Sequence, residues 1–289
     1  MSDSATALHP AKQAAIEQWT ADPCGWVEGE PGSAAYFSAL LKMRHEYAPW
    51  MRDVLGYDAC AGMDVLDVGC GQGIDLAHYA RGGARAVGVD LTPRHVELAQ
   101  MHLRAHALDA EVHEGDAEAL PFADETFDRV SSNGVLHHTP NIDAALREIY
   151  RVLRPGGEAR IILYHRDSLH YWTNQVLFHG IIRRRLISER SMSKILSSNV
   201  EVSSIEARPL VRVYSRRQVR DMLRDVGFDE VRVPVRHFQR TDSFVYDLIG
   251  ARVPRLFEPS ALDRVGRRAG WYVIGVGRKP SQDGSPGSS

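Results

Sequence analysis

Gly69-Cys70-Gly71-Gln72-Gly73 follows the apolar run Val65-Leu66 and Asp67, and leads into Ile74-Asp75. Glycine at alternate positions lets a backbone turn sharply and press its N–H groups against a ligand that any β-carbon would exclude. That is the chemistry of a nucleotide-cofactor cradle. A dinucleotide fingerprint needs its third glycine one position later, where Ile74 stands, so a nicotinamide cofactor fits poorly. Asp90 lies seventeen residues beyond Gly73, at the end of a second apolar run and next to Leu91. A carboxylate there suits the two hydroxyls of a ribose. Thr92 and Pro93 supply cap chemistry for the next helix, which leaves Asp90 to a ligand. Histidines add proton transfer near neutral pH: the pair His137 and His138, and His165. Neighbours at a strand end point in different directions, so His138 is the favoured base, with His137 among the substrate-side residues and His165 the second candidate. The competing reading for each is a structural hydrogen bond.

The segments that must position these residues alternate in type. Candidate strands cover 64–68, 84–90, 110–114, 127–132 and 158–164; helical patterns cover 74–80, 93–107 and 142–152, the last closed by Arg154-Pro155-Gly156-Gly157. Such alternation predicts an α/β fold, a Rossmann-like doubly wound sheet, mostly parallel, with helices on both faces. The alternation breaks over 165–214, then resumes with a helix at 215–226, a strand at 230–235 and a last strand at 271–276, giving seven strands. Upstream, a short helix at 11–19 and a turn-rich loop precede Ser33, a candidate N-cap for a helix running to residue 55. The expected organisation is a tail and helical lid (1–57), a cofactor-binding core (58–166), an inserted substrate cap after the fifth strand (167–213), the rest of the core sheet with a small insertion (214–278), and a tail (279–289). Ligands of open α/β sheets bind beyond the C-terminal strand ends. Tyr36, Phe37 and Tyr47 of the lid and Tyr171 and Trp172 of the cap are therefore candidates for an acceptor wall, with simple lid core as the alternative.

Taken in order, five elements carry a resemblance: Asp67 to Gly73; Asp90-Leu91; Gly115-Asp116-Ala117-Glu118 with Leu120-Pro121-Phe122; the run from Phe127 to His138; and Leu153 to Gly157. Together, from Asp64 to Tyr164, they resemble the motifs of the class I S-adenosylmethionine-dependent methyltransferases, in the type 11/25 group that acts on small molecules. The resemblance implies S-adenosyl-L-methionine as cofactor. It places the methionine part on Gly69, Cys70, Gly71, Gln72 and Gly73 with Asp67 and Asp75 close by, the ribose on Asp90 and Leu91, the adenine on Asp116 and Ala117, and Asn133 near the methionyl or sulfonium region. The implied reaction is methyl transfer to O, N or C of a small-molecule acceptor, aromatic or anionic, of specialised metabolism. The competing readings are an enzyme that methylates nucleic acid or protein, and a donor-binding module without catalysis.

Bulk properties narrow these choices. The 289 residues are 44% hydrophobic, enough for a sizeable core, and net charge is only -2, which argues against a surface built to grip nucleic acid. Charge is uneven, however, with fourteen Lys or Arg against seven Asp or Glu between Ile181 and Arg240. That excess reads as a solvated arginine-rich face or an anion-steering surface. No basic start leads into a long apolar run, so neither secretion nor a membrane partner is expected. Three cysteines, Cys24, Cys60 and Cys70, suggest neither a disulfide framework nor a zinc knuckle and fit a reducing cytoplasm. His165, His170, His179 and His237 lack ligand spacing, so no metal is expected. A homo-oligomer is left open.

Overall fold

The structure is a computed structural model that describes residues 8–25, 27–200, 204–205 and 207–281; most of both expected tails lies outside these residues. Its strands are β1 (Asp64–Val68), β2 (Arg85–Asp90), β3 (Ala110–Glu114), β4 (Phe127–Asn133), β5 (Leu153–Tyr164), β6 (Asp229–Arg232), β7 (Val235–Arg236) and β8 (Tyr272–Arg278). They form one sheet in the order β3-β2-β1-β4-β5-β8-β6, with β7 also on β8. Strands β1 to β5 pair in parallel, and β8 runs antiparallel to β5, β6 and β7. Eight strands replace the expected seven because the outer one is broken. Proline at 234 has no N–H to give to a ladder, so β6 and β7 pair separately along β8, and only the Pro234 carbonyl joins in, accepting from the Ile274 N–H at 2.9 Å.

The helices are α1 (Pro10–Ala21), α2 (Ala34–Tyr47), α3 (Met51–Leu55), α4 (Ile74–Arg81), α5 (Pro93–Ala105), α6 (Ile142–Val152), α7 (Arg185–Glu189), α8 (Met192–Asn199), α9 (Arg216–Val226), α10 (Phe244–Gly250) and α11 (Pro259–Ala269). Side chains alternate across each strand. Leu66, Val68, Val130 and Ile161 pack with Leu146 and Ile149 of α6 and Val219 and Leu223 of α9. Val65, Ala86, Ile162 and Ile274 pack on the other face with Leu55 of α3, Leu76 and Tyr79 of α4 and Leu103 of α5. Parallel strands covered on both faces read as near-continuous apolar runs, which is why the core was visible in the sequence.

Ser33 does cap α2, its Oγ accepting from the Tyr36 N–H at 3.1 Å. The helix ends at Tyr47 rather than at residue 55, because Pro49 forces Ala48 out of helical geometry (φ -143°, ψ 66°). The segment after β5 is helical throughout its described core: a π-helical stretch, His170–Ile182, then α7 and α8. Two further helices, α10 and α11, fill the insertion before β8. No helix among the described residues is long and apolar enough to cross a membrane.

Candidate active site

A cavity of about 370 Å³ opens at the C-terminal ends of β1, β2 and β4, under α1 and the loop that follows it. That is within the roughly 300–1,000 Å³ of small-ligand sites. The glycine turn forms its floor. Gly69, Gly71 and Gly73 all take left-handed φ values (72°, 54° and 76°). A β-carbon on Gly69 would lie 2.3 Å from Val135 Cγ2, so glycine is needed there both for conformation and for space. Of the cofactor candidates, Gly69, Gly71, Asp90, Leu91, Asp116, Ala117 and Asn133 line the cavity. Asp67, Cys70, Gln72, Gly73 and Asp75 do not line it and support the wall from behind. Gln72 accepts from Tyr36 Oη at 3.1 Å and donates to the Cys24 carbonyl at 2.7 Å, tying lid to turn. Asp67 is buried on β1 with one oxygen taking the Ser131 hydroxyl at 3.0 Å and the other without a partner. Burial, and then the charge of Asp75, push its carboxyl well above the usual range.

Asp90 already binds three groups of the protein, which corrects the expectation that the cap chemistry of Thr92 and Pro93 leaves it wholly to a ligand. Its Oδ1 accepts from the Thr92 N–H at 2.9 Å and meets His95 Nδ1 at 3.3 Å, and its Oδ2 accepts from the Gly71 N–H at 2.9 Å. Burial opposes its charge, but the bond and charge of His95 and the two N–H groups hold the carboxyl below its ordinary value. Two lone pairs per oxygen leave room for one more donor, so the carboxylate has space for one hydroxyl rather than two. Asp116 is likewise engaged. Lys12 of α1 reaches across the cavity to Asp116 Oδ2 at 2.5 Å and Glu118 Oε2 at 2.6 Å.

Asn133, at the end of β4, donates to Asp75 Oδ2 at 2.8 Å, while Tyr57 Oη donates to Asp75 Oδ1 at 2.6 Å. Asp75 therefore orients Asn133 from the first turn of α4. Above them is Arg44 of α2, which lines the cavity with its side chain only 21% exposed. Its contacts are loose: 3.9 Å to Asp75 and 3.5 Å to Met51 Sδ. Burial works against its charge most strongly, yet Asp75 together with Tyr57, Cys24 and Tyr272 outweighs that and the guanidinium holds its proton more tightly than usual. A cation with five N–H donors and so few strong acceptors is equipped for an anionic ligand. The sequence did carry a signal for it, a lone basic residue on the apolar stripe Tyr36, Phe37, Leu40, Tyr47. Lys12, Cys24, His95, Tyr164 and Tyr272 are among the other cavity residues that sequence reasoning missed.

The histidines separate. His138 lines the cavity, and its Nδ1 lies 2.7 Å from the Leu210 carbonyl. A carbonyl can only accept, so Nδ1 carries the proton and Nε2 is the basic nitrogen. His137 is fully buried off the cavity, packed 3.9 Å from the Tyr164 ring, with burial and then His138 pressing it well below its ordinary range. His165 is also buried off the cavity, its Nδ1 on the Gly270 carbonyl at 3.0 Å. The aromatic candidates separate too. Tyr47 lines the cavity, joined by Tyr164 and Tyr272. Tyr36 and Phe37 do not, because that face of α2, with Leu40, packs inward on Ile74 of α4 and Met101 of α5, with Phe37 stacked 4.4 Å from His102. Tyr171 and Trp172 sit on the π-helical stretch away from the cavity, Trp172 at 54% exposure. Among the described residues no group of three His, Cys, Asp or Glu side chains could hold a metal ion.

Comparison with known proteins fits this geometry. A family model described as a methyltransferase domain matches residues 66–161. Methyltransferase GfsG of Streptomyces halstedii is 41% identical over 107 residues, 36% of this chain and 38% of that protein. Demethylmenaquinone methyltransferase of Lactobacillus johnsonii is 30% identical over 176 residues, 59% of this chain and 70% of that protein. The chain belongs to the S-adenosylmethionine-dependent methyltransferase family. A solved SAM-dependent methyltransferase from Methanosarcina mazei shares the fold at a TM-score of 0.54 and 20% identity, over 79% of this chain and 98% of that one. The stretch matched to the Streptomyces relative is well under half of that protein.

Family membership implies S-adenosylmethionine, and the cavity of this methyltransferase offers what that molecule needs. It combines a glycine turn that admits close backbone approach, a carboxylate with one acceptor position left, and a buried guanidinium at the far end. The donor and acceptor set fits a ligand with an amino-acid end and a nucleoside end.

Proposed function

We propose that the chain methylates an oxygen of a small, largely apolar, planar acceptor such as a phenol or enol. The observation that carries this reading is His138 on the cavity wall, with its tautomer set by the Leu210 carbonyl. When bound, S-adenosylmethionine supplies a methyl carbon on a positively charged sulfur, already activated for displacement. The protein then has to align the acceptor, exclude water and take up a proton.

His138 Nε2 accepts the proton of the acceptor hydroxyl, and the Leu210 carbonyl steadies the ring through Nδ1 as it becomes charged. Tyr47, Tyr164 and Tyr272 flank the acceptor with flat faces, and Tyr47 Oη and Tyr272 Oη hold each other at 3.1 Å. Arg44 takes the carboxylate of the cofactor's amino-acid end, Asp90 one ribose hydroxyl, and Asp116 the adenine amino group.

The test is mass spectrometry of products formed from methyl-labelled S-adenosylmethionine and a panel of phenols, carbon acids and amines. Fragmentation should show an O-methyl ether. Transfer confined to amines, or none with any acceptor while the cofactor binds, overturns the reading.

A further inference from the structure

Of the ten large apolar side chains exposed among the described residues, seven lie on three helices: Trp172, Leu177, Ile181 and Ile182 on the π-helical stretch, Ile187 on α7, and Leu248 and Ile249 on α10. A π-helix closes its bonds five residues apart, so positions four or five apart share a face. Trp172, Leu177 and the pair Ile181 and Ile182 have that spacing. Helix α10 packs alongside. Phe178 meets Phe244 with ring centroids 5.5 Å apart, and Asn174 Oδ1 accepts from the Phe244 N–H at 3.1 Å. Leu248 follows Phe244 by one turn of α10 on the same face. Ile187 is 74% exposed and Ile181 57%. Single exposed apolar residues need no explanation, but neighbours gathered in this way mark an interaction surface.

The charge around these residues selects the partner. Arg183, Arg184, Arg190 and Arg252 are exposed and form no ion pair among the described residues. The Arg183 guanidinium lies over the Phe178 ring, 5.4 Å from its centroid, and Arg252 Nη1 donates to the Leu248 carbonyl at 3.3 Å. Nearby carboxylates are already taken, Glu189 by Arg185 and Arg208 and Asp247 by Arg240. A second copy on a two-fold axis would set these arginines against themselves. A nucleic-acid backbone would meet the arginines but offers no apolar layer to Ile181, Ile182 and Ile187. An anionic bilayer offers both, and an exposed tryptophan suits its headgroup depth.

We propose that the π-helical stretch, α7 and α10 form a peripheral docking surface for an anionic lipid bilayer. The isoleucines and Leu248 enter the acyl boundary while Arg183, Arg184 and Arg252 meet headgroup phosphates. The chain lies on the bilayer and does not span it. This departs from the expectation of no membrane partner, because the face joins segments distant in sequence and its π-helical spacing escapes an α-helical pattern. It depends on no reading of the cofactor cavity.

The experiment is flotation of the full chain with vesicles of phosphatidylcholine alone or with about 30% phosphatidylserine, at about 0.15 M salt. The chain should float with the anionic vesicles only. Arg183→Gln combined with Arg184→Gln should weaken partitioning about 25-fold, roughly fivefold for each charge. Ile181→Ser combined with Ile182→Ser should weaken it more than about tenfold. Both variants should melt and bind S-adenosylhomocysteine as wild type does, since the altered side chains are exposed. Brominated acyl chains should quench tryptophan emission in the wild type and much less in Trp172→Phe. No flotation with anionic vesicles, equal flotation with neutral ones, or equal flotation of wild type and both variants overturns the docking surface. Flotation without quenching through Trp172 overturns the insertion of the apolar face. A dimer in sedimentation equilibrium that the isoleucine variant separates makes a second copy the occupant and overturns the proposal.

Discussion

Replacing Arg44 with Gln tests the anionic end of the site most directly. Within the protein the guanidinium has only a 3.9 Å approach to Asp75 and a 3.5 Å contact with Met51 Sδ. Asp75 keeps its bonds from Tyr57 and Asn133 when Arg44 is gone. Glutamine retains much of the apolar stem, so folding stability should change by less than about 1 kcal/mol. Binding should change far more. A hydrogen bond to a charged group contributes about 1.5–3 kcal/mol, which converts to roughly 10–150-fold in the dissociation constant. Calorimetry with S-adenosylhomocysteine should show that loss. Methylthioadenosine, which has the nucleoside but no carboxylate, should bind wild type and variant alike. Equal losses for both ligands would place Arg44 away from the amino-acid end, and unchanged affinity for both would remove it from the site.

Three further outcomes follow from the geometry. His138→Ala should lower turnover by about 10²-fold or more while leaving S-adenosylhomocysteine affinity within about twofold; a fully active variant in a steady-state assay would point to base-free chemistry. Gly69→Ala should cost more than about 2 kcal/mol in urea unfolding, because its β-carbon meets Val135 Cγ2 at 2.3 Å. Adding Val135→Ala should recover the clash but not the left-handed strain, and no recovery at all would mean that the contact is not the cause. His170 and His237 flank Asp242 at 3.9 and 4.0 Å, and burial lowers both imidazoles from 6.5 to about 4. The unfolded chain takes up these protons first, so their stabilising contribution is full above pH 6.5 and lost as pH falls through 4. Asp242, raised by burial to about 6, acts in the opposite sense, its contribution fading as pH rises through that value. His170→Gln should therefore gain on wild type by an amount on the order of 3 kcal/mol as pH drops across this window. A constant stability difference between the two proteins would show that His170 titrates normally.

The strands and the glycine turn were legible because both rest on local rules. An apolar run buried on two faces looks the same wherever it occurs, and a left-handed turn demands glycine at its own position. Tyr36 and Phe37 show where that stops. Periodicity says that a helix has an apolar face, not whether the face meets the core or a cavity. Lys12 shows it again: its carboxylate partners lie 104 and 106 residues away, and nothing in a polar α1 announces them. Asp90 was found, but its three bonds depend on the turn and on α5 folding against it. Pro49 and Pro234 mark breaks that apolar periodicity alone does not show, the first ending α2 and the second dividing the outer strand.

That divided outer strand has a meaning beyond strand count. A sheet edge is a row of unpaired backbone groups that another chain can join. On one side, Pro234 interrupts the row between β6 and β7. On the other, β3 presents Glu111, His113 and Glu114 along a five-residue edge. Each is a device that discourages strand addition, so the sheet is terminated at both ends. Both edges of the sheet are therefore poorly suited to pairing with a further strand.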